Sequence, residues 1–169
     1  MPSLAAWNSR APEEARLFNP AFLSSLSTEF VKAYGSKRDG SAPLTLAAIA
    51  LAISLHGGTR RRLPYSIVTS LYEWLQQNED VLIGFPERTH GLMAYIREAI
   101  IFAVAQEVLA IREGHHLQLG SKKAPFSKGF IDETTAETRD IIDRTKFVGR
   151  WFAKSGSESS ILAAWGVRP

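Results

Sequence analysis

The chain has 169 residues, of which 45% are hydrophobic, and this length and composition predict one compact domain over residues 1–169. Its 20 basic and 17 acidic side chains give a formal net charge of +3, which is too small an excess for a protein dedicated to nucleic-acid binding. The sequence lacks cysteine, which excludes disulfides and thiolate zinc sites, and its amino terminus lacks a secretory signal pattern, so we expect a cytoplasmic protein.

The first well-marked element in the chain is a helix. Asn19-Pro20 is a helix-start signal, because the asparagine side chain can cap the helix and proline fits its first turn. Non-polar residues then recur at helical spacing up to Tyr34, and Gly35 is a suitable end. We expect the polar segment Ser36–Ser41 to be a loop.

The next segment, Pro43–His56, is rich in alanine and leucine and predicts a helix that its neighbours can approach closely. At about fourteen residues it is too short to cross a bilayer. A basic turn, Thr59–Arg62, follows it, and we expect a further helix over residues 65–78. Pro86 disfavours helical backbone at the residue before it, which predicts a break or kink before the next helix.

The segment His90–Glu113 predicts the central helix, around which the other elements pack. Met93, Ile96 and Ile100 share one helical face, and the opposite side also carries non-polar residues, so we expect little of this helix to face water. Four polar residues interrupt the non-polar run and argue against a membrane span: Arg97, Glu98, Gln106 and Glu107.

Two short strands and two helices complete the predicted chain. His115–Leu119 alternates like a strand, and Ser121–Gly129 is a candidate return strand of a hairpin. Thr134–Lys154 predicts a long helix. The serine-rich segment Ser155–Ser160 predicts a cap for a last short helix, which ends at Trp165-Gly166.

These elements predict a mainly α fold with one short β-hairpin. The helix order, followed by a strand pair, is compatible with a winged helix-turn-helix core over approximately residues 43–129, with residues 1–35 and 130–169 as packing helices. A plain helical bundle fits the same pattern, and the sequence does not distinguish the two.

Candidate catalytic and metal-binding residues are few. Glu87 and His90 have the Glu-x-x-His spacing of di-iron bundles, but the sequence lacks the second copy that such a centre needs. His115 and His116 are consecutive, so on a strand they point to opposite faces and cannot easily converge on one ion. We therefore predict a non-catalytic protein without a metal or other cofactor. Acidic residues near the start of the long final helix predict a solvated face: Asp132, Glu133, Glu137, Asp140 and Asp143.

Two groups of basic residues are candidate contacts to DNA or to a partner protein. The turn that contains Arg60, Arg61 and Arg62 is expected to be exposed, where it would bind DNA phosphates or an acidic protein surface. The alternative is a solvated cluster that favours the end of the preceding helix. A second group resembles a basic wing at the tip of a hairpin and suits phosphate or protein contact rather than base reading: Lys122, Lys123 and Lys128.

The last predicted helix carries more non-polar side chains than a tolerant tail would. Ile161, Leu162 and Trp165 lie within a few residues of each other, after a serine cap and before Gly166. We expect this helix to dock, and the residues alone leave open whether it docks on its own core or on a partner.

Several short phrases, in a fixed order, resemble one family. They are Leu17–Phe22, Leu55-His56, Thr59-Arg60, Leu63-Pro64, Trp74, Ile83–Phe85 with Glu87-Arg88, Arg97–Ala99, Gly149–Phe152 and Gly166–Pro169. Together they resemble the middle component of bacterial three-component ABC systems, of which the Lamassu-type anti-phage and anti-plasmid systems are examples. The resemblance spans nearly the whole chain. It does not extend to Arg61 and Arg62, and Pro86 interrupts one phrase where a helix former is expected.

This resemblance implies a small non-enzymatic subunit, encoded between an SMC-like ABC ATPase and an effector that is often a nuclease. Such a subunit would hold the effector inactive or couple it to DNA sensing by the ATPase. It also favours Trp165 and Arg168 as candidate residues of a partner interface. The residues alone leave two alternatives. One is a stand-alone winged-helix DNA-binding transcriptional regulator, and the other is a metal-dependent helical enzyme that would use Glu87, His90 and the histidine pair.

Overall fold

The computed structural model describes residues 4–123 and 126–168, and it confirms the mainly α fold. Its α-helices, numbered in chain order, are α1 Pro12–Leu17, α2 Pro20–Gly35, α3 Leu44–Leu55, α4 Gly57–Arg60, α5 Leu71–Gln77, α6 Phe85–Ala105, α7 Lys128–Glu133, α8 Ala136–Lys154 and α9 Glu158–Ala164. The strands are β1 Ser41–Pro43, β2 Leu109–Arg112 and β3 His116–Leu119. Short 3-10 helices lie at Trp7–Ser9 and Glu79–Leu82.

Helix α3 lies at the centre of the helical body. Every residue from Leu46 to Ser54 is buried, because this helix is non-polar on all sides and contacts α2, α6 and α8. Its alanines allow these neighbours to approach closely. The prediction that His90–Glu113 is the central helix is therefore wrong, and α3 takes that place.

Helix α6 begins before the predicted segment and is only partly buried. Gly84, with a φ of 66°, ends the preceding segment, and Pro86 occupies the first turn of α6, so the predicted break before this helix is present. Near its end, Ile101 is 63% exposed and Phe102 is 39% exposed. The expectation that little of this helix faces water is wrong for its last two turns.

The end of α6 is a left-handed turn at Glu107, whose φ is 58°. The N–H of Val108 donates to the carbonyl of Ala103 (2.9 Å), and the N–H of Glu107 donates to that of Val104 (3.0 Å), which is the Schellman arrangement. Glycine usually occupies this position, so the sequence carries no stop signal here. Leu109–Arg112, predicted to be helical, consequently forms β2.

The three strands form an antiparallel sheet in the order β1-β3-β2. The tip of the β2–β3 hairpin is Glu113–His115, and β2 is the strand that precedes it. The predicted return strand is wrong for residues 121–123 and 126–129, none of which lies in a strand, and residues 124 and 125 lie outside the described residues. On the other side of β3, Ala42 pairs with Leu117, and β1 and β3 contact α2. Because the sheet packs on the helical body, the structure does not confirm a winged helix-turn-helix core over residues 43–129.

Three further helices differ in how well the sequence predicted them. Helix α5 begins at Leu71 rather than at residue 65, with Ser70 as its cap, because the segment before it is irregular. The predicted long helix is confirmed as α8, which is capped by Thr135. The predicted serine cap of the last helix is also confirmed, since the hydroxyl of Ser157 accepts from the N–H of Ser160 (3.2 Å).

Candidate interaction surfaces

The first arginine of the basic turn, Arg60, is a structural residue, because it is only 2% exposed. Its Nη1 donates to the carbonyl of Ser54 (2.8 Å), its Nε donates to Oδ2 of Asp140 (2.7 Å), and its Nη2 donates to Oε1 of Glu137 (2.8 Å). Arg60 therefore joins α4 to the end of α3 and the start of α8. The expectation that the whole turn is exposed is wrong for this residue. Two carboxylates of the predicted solvated face, Glu137 and Asp140, are its ion-pair partners.

The other two arginines of the turn are exposed but differ in their surroundings. Arg62 donates to a carboxylate oxygen of Asp80 and to Oδ1 of Asn78 (2.8 Å). This guanidinium holds the pKa of the Asp80 carboxyl below its ordinary value. Arg61 has no ion-pair partner in the part of the chain that the structure describes. Arg61 is therefore the residue of this turn that remains free to meet an anion.

His56 caps the short helix α4 and links it to the same cluster. Its Nδ1 accepts a hydrogen bond from the N–H of Thr59 (3.2 Å) and lies 2.8 Å from the hydroxyl of that residue. Partial burial, followed by the positive charges of Arg88, Arg60 and Arg61, lowers the pKa of His56 below its ordinary value. The neutral imidazole is thus the form that the folded protein favours.

The predicted basic wing is not at the tip of the hairpin. Lys122 and Lys123 follow β3, and Lys128 is the first residue of α7. All three are exposed, but Nζ of Lys122 is 3.0 Å from Oε1 of Glu107. Lys123 and Lys128 are the members of this group without an ion pair among residues 4–123 and 126–168.

The candidate metal-binding residues do not come together. Within the described ranges there is no group of three or more histidine, aspartate or glutamate side chains that could hold a metal ion. The rings of His115 and His116 lie 4.6 Å apart, with His115 in the hairpin turn and His116 on β3. Glu87 and His90 are both exposed near the start of α6.

The last helix docks on its own chain, which was one of the two alternatives that the residues left open. Trp165 is fully buried, and its ring lies 4.7 Å from that of Phe85 and 6.2 Å from that of Trp74, measured between centroids. Trp165 therefore cannot itself be an exposed contact for a partner. Arg168, the other candidate of this segment, is exposed.

An open groove of about 790 Å³ lies beside Arg168, and we call it the α3–α6–α9 groove. Its non-polar walls come from α3, the first turns of α6, α9 and the residues after α9: Ala48, Ile49, Pro86, Met93, Leu162 and Val167. Its exposed edge carries Glu87, His90 and Arg168. This groove is not predictable from the sequence, because its wall residues are distant in the chain and each has the pattern of a core residue.

A second exposed non-polar surface lies at the other end of α6. Ile101 is 63% exposed, Phe102 is 39% exposed and Val104 is 36% exposed. Ile101 and Val104 are three residues apart and lie on one face of α6, and Phe102 is the sequence neighbour of Ile101; we call these three residues the α6 end patch. Large non-polar side chains that cluster on a surface mark contact sites more often than isolated ones do.

Within residues 4–123 and 126–168, no helix is both long enough and non-polar enough to cross a bilayer.

The fold and these surfaces together define a mainly α-helical protein with open non-polar surfaces and little free charge in its predicted basic turn. The chain belongs to the family described as Middle Component 3 of ABC-three component (ABC-3C) systems, whose family model matches residues 7–169. It is thus a subunit of such a system, as the resemblance of its short phrases implied. No curated protein and no solved structure matches it significantly.

Proposed function

We propose that this subunit is non-catalytic and links an SMC-like ABC ATPase to an effector, often a nuclease, in a cytoplasmic anti-phage or anti-plasmid defence complex. Membership of the ABC-3C middle-component family supports its place beside other components. The linking role needs two separate contact surfaces on one small protein. The α3–α6–α9 groove and the α6 end patch fit that requirement.

The observation that carries this proposal is the distance between the two surfaces. Pro86 and His90 belong to the groove at the start of α6, whereas Val104 belongs to the patch at its end. An α-helix rises about 1.5 Å per residue, so Pro86 and Val104 are about 27 Å apart along the axis. Two partner proteins can therefore bind the ends of α6 without competing for the same surface.

Separate disruption of the two surfaces tests the linking role. The tagged subunit is co-expressed with the other two components of its system, as wild type, as Met93→Lys in the groove and as Ile101→Lys in the patch. We expect each variant to lose one component and to retain the other. Val68→Lys is the control, because Val68 is 83% exposed and belongs to neither surface. If both surface variants retain both components, the two-surface proposal is wrong.

We also propose that the assembled complex contacts DNA phosphates through exposed cations of this subunit. Arg61, Lys123 and Lys128 support this proposal, because each is exposed and lacks an ion pair among the described residues. Replacing all three by alanine should reduce the steepness of the plot of log K for DNA binding against log salt concentration. The slope should change by about 2.7, since each phosphate contact contributes about 0.9. Arg62→Ala should change the slope less, because Asp80 already neutralises it. An unchanged slope with loss of a component would assign these cations to a protein interface instead.

A further inference from the structure

The α3–α6–α9 groove has the properties of a site for a protein segment with a non-polar side chain. Ala48, Ile49 and Leu162 form part of its wall, and Met93 and Val167 are half-buried there. Its volume of about 790 Å³ lies within the range of roughly 300–1,000 Å³ that is usual for binding pockets. Burial of non-polar surface stabilises a complex, so this wall favours a non-polar occupant.

The backbone that leads to Arg168 packs on the start of α6. Trp165 is buried against Phe85, and Gly166 lies beside Pro86, since a Cβ at Gly166 would be 3.8 Å from Cγ of Pro86. Arg168 follows two residues later and forms part of the exposed edge. The start of α6 thus holds the segment that presents this arginine.

The charges at the edge of the groove indicate the polar chemistry of its occupant. The side chains of Arg168 and His90 have no hydrogen-bond or ion-pair partner within residues 4–123 and 126–168, whereas those of Arg60 and Arg62 are both paired with carboxylates. Arg168 and Glu87 are likewise not paired with each other. A permanently charged guanidinium beside a non-polar wall is complementary to a carboxylate that lies next to a non-polar side chain.

One wall residue also has unused hydrogen-bonding capacity. Thr89 is 4% exposed, and its hydroxyl has no hydrogen-bond partner among the described residues. A buried hydroxyl without a partner is unfavourable, because it has lost its contacts with water. An occupant with a polar group near this wall would relieve that cost.

We infer that the groove binds an amphipathic segment of another component of the ABC-3C system, which places a non-polar side chain on the wall and a carboxylate against Arg168. This inference rests on the proposed linking function and specifies one of its two contacts. Arg168 supplies the charge contact, and Met93 and Val167 supply the non-polar contact. His90 extends the same exposed edge with an imidazole ring that can form hydrogen bonds.

Charge reversal at the edge tests this inference with purified full-length components. The affinity of the subunit for each of the two other components is measured at fixed salt concentration for wild type, Arg168→Glu and Arg16→Glu. Arg16 is an exposed arginine of α1 outside the groove, so it carries the same change of charge without touching the site. We expect Arg168→Glu to weaken binding of one component by about ten-fold and Arg16→Glu to leave both affinities unchanged.

Two further variants separate the polar and non-polar contacts. Glu87→Gln removes the carboxylate of the same edge, so it should leave the affinity unchanged or raise it, because an acidic occupant no longer meets a like charge. Met93→Gln keeps the length of the side chain but makes the wall polar, and it should weaken the same component by about ten-fold. Thermal melts of each variant identify any loss of folding. We expect none for Arg168→Glu, because it changes only an exposed side chain.

Three outcomes would overturn the inference. The first is an Arg168→Glu subunit that binds both components as tightly as Arg16→Glu does. The second is a change in sedimentation of the isolated subunit on Arg168→Glu, which would make a second copy of this chain the occupant. The third is stronger binding by Arg168→Glu, which would require a basic occupant. If the groove variants have no effect while the subunit still joins the two components, the linking function stands and only this inference fails.

Discussion

Arg60 is predicted to hold the end of α3, the helix α4 and the start of α8 together, and Arg60→Met tests this prediction. Methionine keeps much of the non-polar stem but removes three hydrogen bonds, to Ser54, Asp140 and Glu137. The side chains of Asp140 and Glu137 are 43% and 69% exposed, so water takes the place of the guanidinium and the two ion pairs contribute little. The buried carbonyl of Ser54, by contrast, loses its charged donor.

The expected loss of stability follows from these contacts. An unsatisfied buried carbonyl costs about 1–3 kcal/mol, and the imperfect fit of the new side chain adds about 1 kcal/mol. We therefore expect the free energy of unfolding to fall by about 2–4 kcal/mol. For a chain of this length, this corresponds to a decrease in Tm of roughly 5–15 °C, since 1 kcal/mol shifts Tm by about 2–4 °C.

Urea denaturation and thermal melts of Arg60→Met and Arg61→Met measure this effect. Arg61→Met is the matched control, because Arg61 is the exposed neighbour without an ion pair among the described residues. Its stability should remain within about 0.5 kcal/mol of wild type. Equal effects of the two substitutions, or an Arg60→Met protein as stable as wild type, would refute the structural role of Arg60.

Two further predictions concern a close helix contact and a titrating cap. Gly149→Ala should destabilise the protein by about 1–2 kcal/mol, because the new Cβ would lie 2.9 Å from Cβ of Ala33. Gly91→Ala should instead stabilise it by about 0.5–1 kcal/mol, because Gly91 lies in α6 with open space around it. Urea denaturation of both variants distinguishes packing from helix propensity, and changes of the same sign would contradict the packing argument. His56 has a pKa below its ordinary value in the folded state, so its contribution to stability is complete above about pH 6.5 and declines as the pH falls below that value. His56→Asn keeps a capping side chain and should lose less stability than wild type between pH 8 and pH 5, and identical pH profiles would show that His56 does not titrate in this way.

Local signals in the sequence were sufficient where a cap or a turn residue defines a helix end. Asn19 accepts hydrogen bonds from the N–H groups of Ala21 and Phe22, as the Asn19-Pro20 signal predicted. The cap of α9 at Ser157 was predictable for the same reason. Such signals depend on a few adjacent residues, so the sequence contains all the information that they need.

The main errors arose where a position adopts a conformation that its residue type does not favour. Glu107 ends α6 in the left-handed region, which costs a non-glycine residue about 1–2 kcal/mol. The structure compensates for this cost by tertiary contacts, because Lys122 bonds to the Glu107 carboxylate through its side chain and to the Glu107 carbonyl through its N–H. The non-polar residues after Glu107 continue the helical pattern, so periodicity alone extended the helix into β2.

The candidate sites were less predictable than the fold, because they depend on contacts between distant parts of the chain. Arg60 and Asp140 are separated by 80 residues, and neither sequence neighbourhood identifies the other as its partner. An arginine triplet therefore looked like an exposed basic turn, although its first member is in the core. Arg168 was predictable as an exposed candidate, whereas the groove beside it requires three helices to be placed together.

The central claim is that this subunit joins two other components that bind different surfaces of it. Mass photometry of the purified components, mixed in pairs and as a set of three, tests this claim most directly. We predict binary complexes of this subunit with each of the other components, and a complex of all three that disappears when this subunit is omitted. A stable complex of the other two components alone, with the same composition whether or not this subunit is present, would contradict the account.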